Sequence, residues 1–161
     1  MLPDVTVAVV HTSGDPSGLG PEVMKALYGA VYGLKFALKK RGVEMKLDMP
    51  RARWELTPGQ PETPPLEGHW ALPVPEGTEA DDLVSKVPGV EIGVERWTYG
   101  ECAWILHLGG YDEELPTIER LAAFIDEAGY VVSGMHEEWY MSGPSAKVPK
   151  TVILYPVRPK T

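Results

Sequence analysis

The chain repeats one order of predicted elements, and this repeat restricts its possible folds more than any other feature. An apolar run ending in His11 precedes a helix pattern opened by Pro21, and a second apolar run ending in His107 precedes a helix pattern opened by Pro116. Short β-rich runs follow each helix, and Glu67-Gly-His-Trp in the first half takes the place that His136-Glu-Glu-Trp-Tyr takes in the second. A strand-helix-strand-strand unit used twice predicts two half-domains in one antiparallel sheet, with both helices on a common side and a ligand cleft where the halves meet.

Hydrophobic periodicity and turn residues set the predicted boundaries. The first helix is predicted from Pro21 to Gly42 and the second from Leu115 to Gly129. Strands are predicted at Val5–His11, Val43–Met49, Leu66–Val74, Val90–Trp97, Ala103–Leu108, His136–Met141 and Lys150–Pro156, with a short helix at Asp81–Val87. Residues 49–65, with five prolines, predict an irregular connection.

These elements predict an α+β fold: a duplicated strand-helix-strand-strand module that forms a curved antiparallel sheet with two main helices. The 161 residues suffice for one domain with one sizeable core. We therefore predict a single domain over residues 1–161, with half-repeats at about 1–75 and 90–161. Clefts at the junction of two such halves are good ligand sites, so the cleft between them is the expected one.

Composition narrows the classes of partner. No apolar run is long enough to cross a bilayer, the lone Cys102 has no internal disulfide partner, and the first residues lack a signal-peptide pattern, so a cytoplasmic protein is expected. A net charge of −8 repels phosphate backbones and disfavours nucleic acid as a partner, but it attracts cations. Monomer and homodimer both remain open. Five tryptophans and seven tyrosines against two phenylalanines favour ring-stacking surfaces over dry cores.

The segment from Gly134 to Pro144 contains an unusual density of ionisable and aromatic side chains. Strand alternation divides residues 136–141 into two faces, His136, Glu138 and Tyr140 on one and Glu137, Trp139 and Met141 on the other. A carboxylate in line with a phenol and an imidazole is hard to explain as core packing, because a buried charge needs a partner or a ligand. The alternative is a strand with one solvated face.

A metal site is not predicted at this segment. His136 and Glu137 begin like the zinc-binding helix motif, but Tyr140 occupies the position of the second histidine. We expect neither a metal nor a cofactor.

Five segments together resemble the GyrI-like small-molecule-binding family. They are Pro65-Leu-Glu-Gly-His-Trp, Glu101-Cys-Ala-Trp-Ile-Leu-His-Leu-Gly-Gly-Tyr-Asp-Glu-Glu, Ala128-Gly-Tyr, Gly134-Met-His-Glu-Glu-Trp-Tyr-Met-Ser-Gly-Pro and Lys150-Thr-Val-Ile-Leu-Tyr-Pro-Val, and the helix with Tyr28, Tyr32 and Lys35 adds to them. The resemblance spans nearly the whole chain. It implies a duplicated fold shared with effector-binding domains of multidrug-responsive transcription regulators, here as a stand-alone ligand binder, since no helix-turn-helix precedes it.

The resemblance also assigns residues. The family's motif glutamate and tyrosine fall on Glu138 and Tyr140, and its His-x-Gly-x-Tyr falls on His107, Gly109 and Tyr111. Its Leu-Glu-Gly-Leu-Trp falls on residues 66–70. The chain departs from the family pattern where Glu137 replaces a histidine and Trp139 an aliphatic residue, which implies a more cationic or flatter ligand.

The first hypothesis is therefore a binder of planar aromatic, lipophilic cations. Aromatic faces attract such a cation by roughly 0.5 to 2 kcal/mol each, and one carboxylate supplies the counter-charge. Glu138 is the predicted counter-charge and Glu67 a second acceptor. The predicted walls are Tyr140, Tyr111, Trp70, Trp139 and Trp97, with His107 beside them.

The second hypothesis is enzymatic. The resemblance extends to family members that are hydrolases and open the cyclopropane of DNA-alkylating natural products. Glu138 would then act as general base on water and Tyr140 would orient the water or donate a proton, with apolar surroundings raising the proton affinity of the carboxylate. A gyrase inhibitor, after which the family is named, is a third and more remote alternative.

Overall fold

The computed structural model describes residues 1–56, 66–143 and 145–161. The helices are α1 (Pro16–Lys40) and α2 (Leu115–Glu127). The strands are β1 (Val5–Gly14), β2 (Arg51–Trp54), β3 (Leu66–Pro73), β4 (Gly93–Trp97), β5 (Cys102–Leu108), β6 (Tyr130–Val132), β7 (His136–Tyr140) and β8 (Lys150–Pro159). Two 3₁₀ turns lie at Ala80–Asp82 and Tyr111–Glu113.

All strand pairs are antiparallel, and the strands form one sheet in the order β4-β1-β3-β2-β7-β8-β5, with β6 paired to β8. The order β1-β3-β2 in the first half has its counterpart in β5-β8-β7 in the second. The halves meet where β2 pairs with β7. This confirms the predicted α+β fold with a duplicated strand-helix-strand-strand module and two main helices.

The sheet order corrects one predicted equivalence between the halves. The sequence pattern matched Glu67-Gly-His-Trp, which lies in β3, to the segment that forms β7. In the structure β7 corresponds to β2, and β3 corresponds to β8, because β3 and β8 are the middle strands of their halves.

The strand predicted at Val43–Met49 is wrong, and β2 lies in a segment that was predicted to be irregular. Met45 is buried, and Leu47 packs against the same core as α1, without pairing to a strand. The alternation of apolar and polar residues there reflects burial of one side of the segment. Residues 57–65 of the predicted connection lie outside the described residues.

The other elements match with shifted ends. The first helix begins at Pro16 and contains Pro21 inside it. The helix predicted at Asp81–Val87 is only a 3₁₀ turn, and β4 begins at Gly93, three residues later than predicted. None of the helices in the described ranges is both long and apolar enough to span a membrane.

Both helices pack on one face of the sheet, which we call the helix face. Directly paired residues of antiparallel strands point to the same face, so the register fixes which side chains share it. The α1 core contains Leu27, Ala52 and Trp70, and the α2 core contains Leu121 and Ile153. A third cluster covers the opposite, helix-free face and includes Val7, Val9, Ala71, Trp97, Tyr99 and Leu154.

Candidate functional site

Glu138 lies on the helix face at the junction of the halves. It pairs with Ala52 of β2 on one side and with Ile153 of β8 on the other. Ala52 belongs to the core under α1 and Ile153 to the core under α2. The predicted alternation of β7 is thus confirmed, and it places a carboxylate between two hydrophobic cores.

Glu138 is 7% exposed and accepts hydrogen bonds from three side chains. His136 Nε2 lies 2.9 Å from its Oε2, and the Tyr140 hydroxyl lies 3.1 Å from its Oε1. Glu114 supplies a further side-chain hydrogen bond. A buried carboxylate is tolerated when donors satisfy its oxygens in this way.

The network assigns the His136 tautomer. An ionised carboxylate can only accept, so Nε2 carries the hydrogen that points to Glu138. In the neutral ring Nδ1 then accepts from the Tyr155 hydroxyl, 2.7 Å away. Tyr155 and His136 are almost fully buried, so β8 holds the imidazole in place.

Glu114 reaches this site from the N-cap position of α2. A glutamate there could accept from backbone N–H groups at the helix start, but the Glu114 side chain makes no cap hydrogen bond. It is 4% exposed and bonds to Glu138 instead. Two carboxyl groups can share a hydrogen bond only if one of them carries a proton.

His136 and Tyr140 donate to Glu138 and favour its ionised form, which assigns the shared proton to Glu114. Burial alone raises the pKa of Glu138, but the hydrogen bonds from Glu114, His136 and Tyr140 outweigh burial and lower that pKa to about 2. The expectation that apolar surroundings raise the proton affinity of Glu138 is therefore wrong. Burial and the nearby Glu138 charge raise the pKa of Tyr140 well above its ordinary value, so Tyr140 stays a phenol and a donor.

Tyr111 forms the exposed wall of the site. It is 61% exposed, and its ring meets the Tyr140 ring edge-on with centroids 6.0 Å apart. Partial burial and the Glu138 charge raise the pKa of Tyr111. The 3₁₀ turn at residues 111–113 carries this ring to the edge of β7.

His107 holds that turn in place. Its Nε2 lies 2.9 Å from the Gly110 carbonyl oxygen, and its Nδ1 lies 2.7 Å from the Thr117 hydroxyl. The ring is buried, and both nitrogens are engaged within the protein. His107 therefore positions the loop that carries Tyr111.

The structure does not bring all predicted site residues together. Trp70 is on the helix face but is buried in the α1 core, edge-on to Trp54 and donating to the Thr12 hydroxyl at 2.9 Å. The remaining three predicted residues lie on the helix-free face, on the far side of the sheet from Glu138: Glu67, Trp97 and Trp139.

Glu137, the departure from the family pattern, also faces the helix-free side, where a network balances its charge. Arg53 Nε donates to it at 2.5 Å and the Tyr99 hydroxyl at 2.8 Å. Trp139 Nε1 donates to the same carboxylate at 2.5 Å. Burial, with Glu137 beside it, raises the pKa of Tyr99 to about 12. Glu137 thus stabilises the β2–β7 junction and does not add charge to the Glu138 site.

A metal ion could in principle be held by Glu114, His136 and Glu138. Each offers a ligand atom within 4.8 Å of the others. Both His136 nitrogens already form hydrogen bonds, however, and the two carboxyl groups are bonded to each other. The arrangement fits a proton-sharing network better than a metal centre.

Sequence reasoning missed Glu114, and it recognised His136 only as part of the motif. The available signal for Glu114 was an acidic residue just before the helix-opening Pro116, which reads equally well as an ordinary N-cap. Trp54, which pairs with His136 across the junction, was missed because β2 was predicted to be irregular.

Comparison with known proteins supports the fold. A scan against protein-family models finds no match for this chain, and a search of curated proteins finds none either. Among solved structures, an uncharacterized conserved protein from Listeria innocua superimposes with a TM-score of 0.84 at 20% identity, over 98% of this chain and 89% of that one.

Two further structures are similar. A Listeria innocua protein described as a hydrolase has a TM-score of 0.80 and 19% identity, with the same coverage. The C-terminal domain of EcmrR has a TM-score of 0.61 and 13% identity, over 98% of this chain and 94% of that domain. These TM-scores show that the chain shares the fold of these proteins.

Proposed function

We propose that this protein is a GyrI-like binder of planar aromatic, cationic small molecules, with Glu138 as the counter-charge. The observation that carries the proposal is a carboxylate that is buried on the helix face yet held ionised by three hydrogen bonds. Maintaining an anion at a buried position is costly unless a partner compensates it.

The charge balance at the site favours a cationic ligand. Glu114 carries the shared proton and Tyr140 stays a phenol, so Glu138 is the carboxylate that stays ionised at the site. Among the ion pairs of the described residues, Glu138 appears only with His136, at 2.9 Å. Neither Arg nor Lys neutralises it there, in contrast to Glu137 and Arg53. A ligand cation would supply the missing positive charge.

The aromatic rings at the site favour a flat ligand. Tyr111 is exposed next to Tyr140, and Tyr140 packs against the α1 core. An electron-rich ring attracts a cation by roughly 0.5 to 2 kcal/mol and offers stacking area without strict geometry. The same two rings lie within the electrostatic reach of Glu138. This combination suits delocalised cations of varied shape.

The test is a fluorescence titration of the protein with a matched pair of planar dyes, one cationic and one neutral. Glu138→Gln preserves the size of the side chain. It should lower the affinity for the cationic dye at least tenfold and change the affinity for the neutral dye little. Glu67→Gln is the matched control: Glu67 lies on the opposite face, so its loss should leave both dyes unaffected. Equal weakening of both dyes in Glu138→Gln would count against the counter-charge role.

A second candidate function is hydrolysis of a strained cyclopropane. The similar Listeria innocua structure described as a hydrolase motivates it, together with a carboxylate flanked by two phenols. Glu138 would take a proton from water as the water oxygen attacks a ring carbon. The cyclopropane bond would break toward a conjugated carbonyl, and Tyr140 would donate a hydrogen bond to the oxygen that gains charge.

The low pKa of Glu138 disfavours this candidate, since a strongly hydrogen-bonded anion is a weak base. The two functions separate experimentally. A hydrolase would consume a cyclopropane-bearing alkylator over time, and Glu138→Gln would retain binding of that compound but lose turnover. A binder would leave the compound unchanged.

A further inference from the structure

A second cluster of chemically active side chains lies on the helix-free face, away from Glu138. It consists of His11 in β1, His69 in β3 and Glu95 in β4, three adjacent strands of the sheet. Each residue offers one ligand atom, and these atoms lie within 4.8 Å of one another. From this geometry we propose that His11, His69 and Glu95 bind a divalent transition-metal ion, of which Zn²⁺ best matches the donor set.

The sheet itself brings the two imidazoles together. His11 and His69 are direct cross-strand partners, and their ring centroids are 4.3 Å apart. Cross-strand partners share a face of the sheet and have neighbouring Cβ atoms. Two histidines on adjacent strands thus present nitrogens to the same point in space, as metal sites require.

Glu95 reaches this point across Gly93. In the pairing of β1 with β4, Glu95 lies opposite Val7 and Gly93 lies opposite Val9. Gly93 has no side chain to fill the space between Glu95 and His11, and Glu95 Oε2 lies 2.5 Å from His11 Nε2. The third ligand is therefore already in contact with the first.

A neighbouring side chain orients the carboxylate. Trp97 Nε1 donates to Glu95 Oε1 at 3.0 Å, which leaves Oε2 directed at the histidines. Trp97 is 3% exposed and packs under the Arg53 guanidinium. Metal ligands are commonly held by such a hydrogen bond from an outer residue. The positive charge of Arg53 is matched by Glu137, which limits its repulsion of a metal ion.

Two histidines and one carboxylate are a donor set of zinc sites that keep an open coordination position. Tetrahedral bonds of about 2.1 Å place the ligand atoms about 3.4 Å apart, so the three side chains need only small rotations. The His11 and Glu95 side chains are 54% and 37% exposed, which permits these rotations and lets solvent reach the fourth position.

Ions can enter from a cavity of about 730 Å³ that His11 lines together with Glu22 and Glu91. The two carboxylates and the net charge of −8 favour cations there. A structural role alone explains the cluster poorly, because an exposed ion pair such as His11 with Glu95 contributes little to stability. The proposal is independent of ligand binding at Glu138.

Isothermal titration of the whole protein with ZnCl₂ in a non-chelating buffer tests the site. We expect one Zn²⁺ per chain. The double substitution His11→Ala with His69→Ala should abolish this binding, and Glu95→Gln should weaken it at least tenfold. Circular dichroism would show that these half-exposed substitutions leave the fold intact.

Three control variants should bind Zn²⁺ like the parent. Glu76→Gln removes an exposed carboxylate elsewhere, Cys102→Ser removes the thiol, and Glu138→Gln disrupts the buried carboxylate cluster. Absence of stoichiometric Zn²⁺ binding by the parent, or full affinity in the double-histidine variant, would overturn the proposal. Loss of Zn²⁺ binding in Glu138→Gln alone would assign the ion to the other cluster and overturn it as well.

Discussion

Glu114 and Glu138, from the start of α2 and the middle of β7, share a hydrogen bond inside the protein. One proton serves both carboxyl groups, and the donors around Glu138 place that proton on Glu114. Two acidic residues therefore behave as one anion and one neutral donor, and only the anion is available to a ligand.

We predict that Glu114→Gln changes the affinity for a cationic dye by less than about threefold. The amide N–H₂ can replace the carboxyl proton as donor to Glu138, so the anion remains. Dye titration of this variant beside Glu138→Gln measures the difference. The opposite pattern, with Glu114→Gln losing the dye and Glu138→Gln keeping it, would show that the proton sits on Glu138.

Acid should destabilise the parent more than the Glu138→Gln variant. The folded pKa of Glu138 is about 2, held below its ordinary 4.5 by hydrogen bonds that outweigh burial. A depressed folded pKa contributes stability that is present above the unfolded pKa and is lost as pH falls through the folded pKa. Between pH 7 and about pH 2.5, the free energy of unfolding measured in urea should fall further in the parent than in the variant, by on the order of 2 kcal/mol. Parallel losses in parent and variant would contradict the assignment.

The fold could be predicted from the sequence in segments that both pack against the core and pair with neighbouring strands. Leu66–Pro73 and His136–Tyr140 are strand-like runs next to turn residues, and both also pair with neighbours on both sides. Residues 43–49 alternate between apolar and polar side chains. The apolar ones are buried to different degrees, but the segment does not pair with a strand. In β2, Arg51 and Arg53 gave no apolar signal, because their burial depends on Glu137 and Tyr99, which are distant in sequence.

Breaking the Glu137 network should be costly. Glu137→Ala leaves Arg53 without its carboxylate and Tyr99 without its acceptor, at a position where Glu137 is almost fully buried. Removal of one partner of a buried ion pair typically costs about 3 to 5 kcal/mol, measurable by urea unfolding. Lys160→Ala is the control, since its pair with Asp126 is exposed and should contribute less than about 1 kcal/mol. Similar small effects for both variants would argue against a buried network.

Gly68→Ala should destabilise the fold, because a Cβ there would lie 2.9 Å from Trp54 Cε3 and 3.1 Å from the Thr12 hydroxyl oxygen. Overpacking of this kind costs about 1 to 3 kcal/mol. Gly33→Ala in α1 is the matched control: its Cβ would meet no atom within 4 Å, and alanine should add about 1 kcal/mol of helix stability. Thermal unfolding of the two variants should shift in opposite directions, and a shared direction would contradict these contacts.

The candidate site was only partly predictable for a geometric reason. Strand alternation separates Glu138 from Glu137 and Trp139, and it did so correctly. It cannot tell which other strands contribute to the same face, so Glu67 and Trp97 were grouped with Glu138 on the wrong side of the sheet. Glu114 comes from a helix end whose direction no local pattern reveals.

In the described parts of the chain, β2 and β7 join the two halves of the sheet through four residue pairs. One side of these pairs holds the Glu138 anion, and the other holds the Arg53–Glu137 ion pair. Separation of the halves along this junction would break the Arg53–Glu137 ion pair and would expose Glu138, whose backbone pairs with Ala52. Because Glu138 lies between the α1 core and the α2 core, a molecule bound there should stabilise the pairing of the two halves.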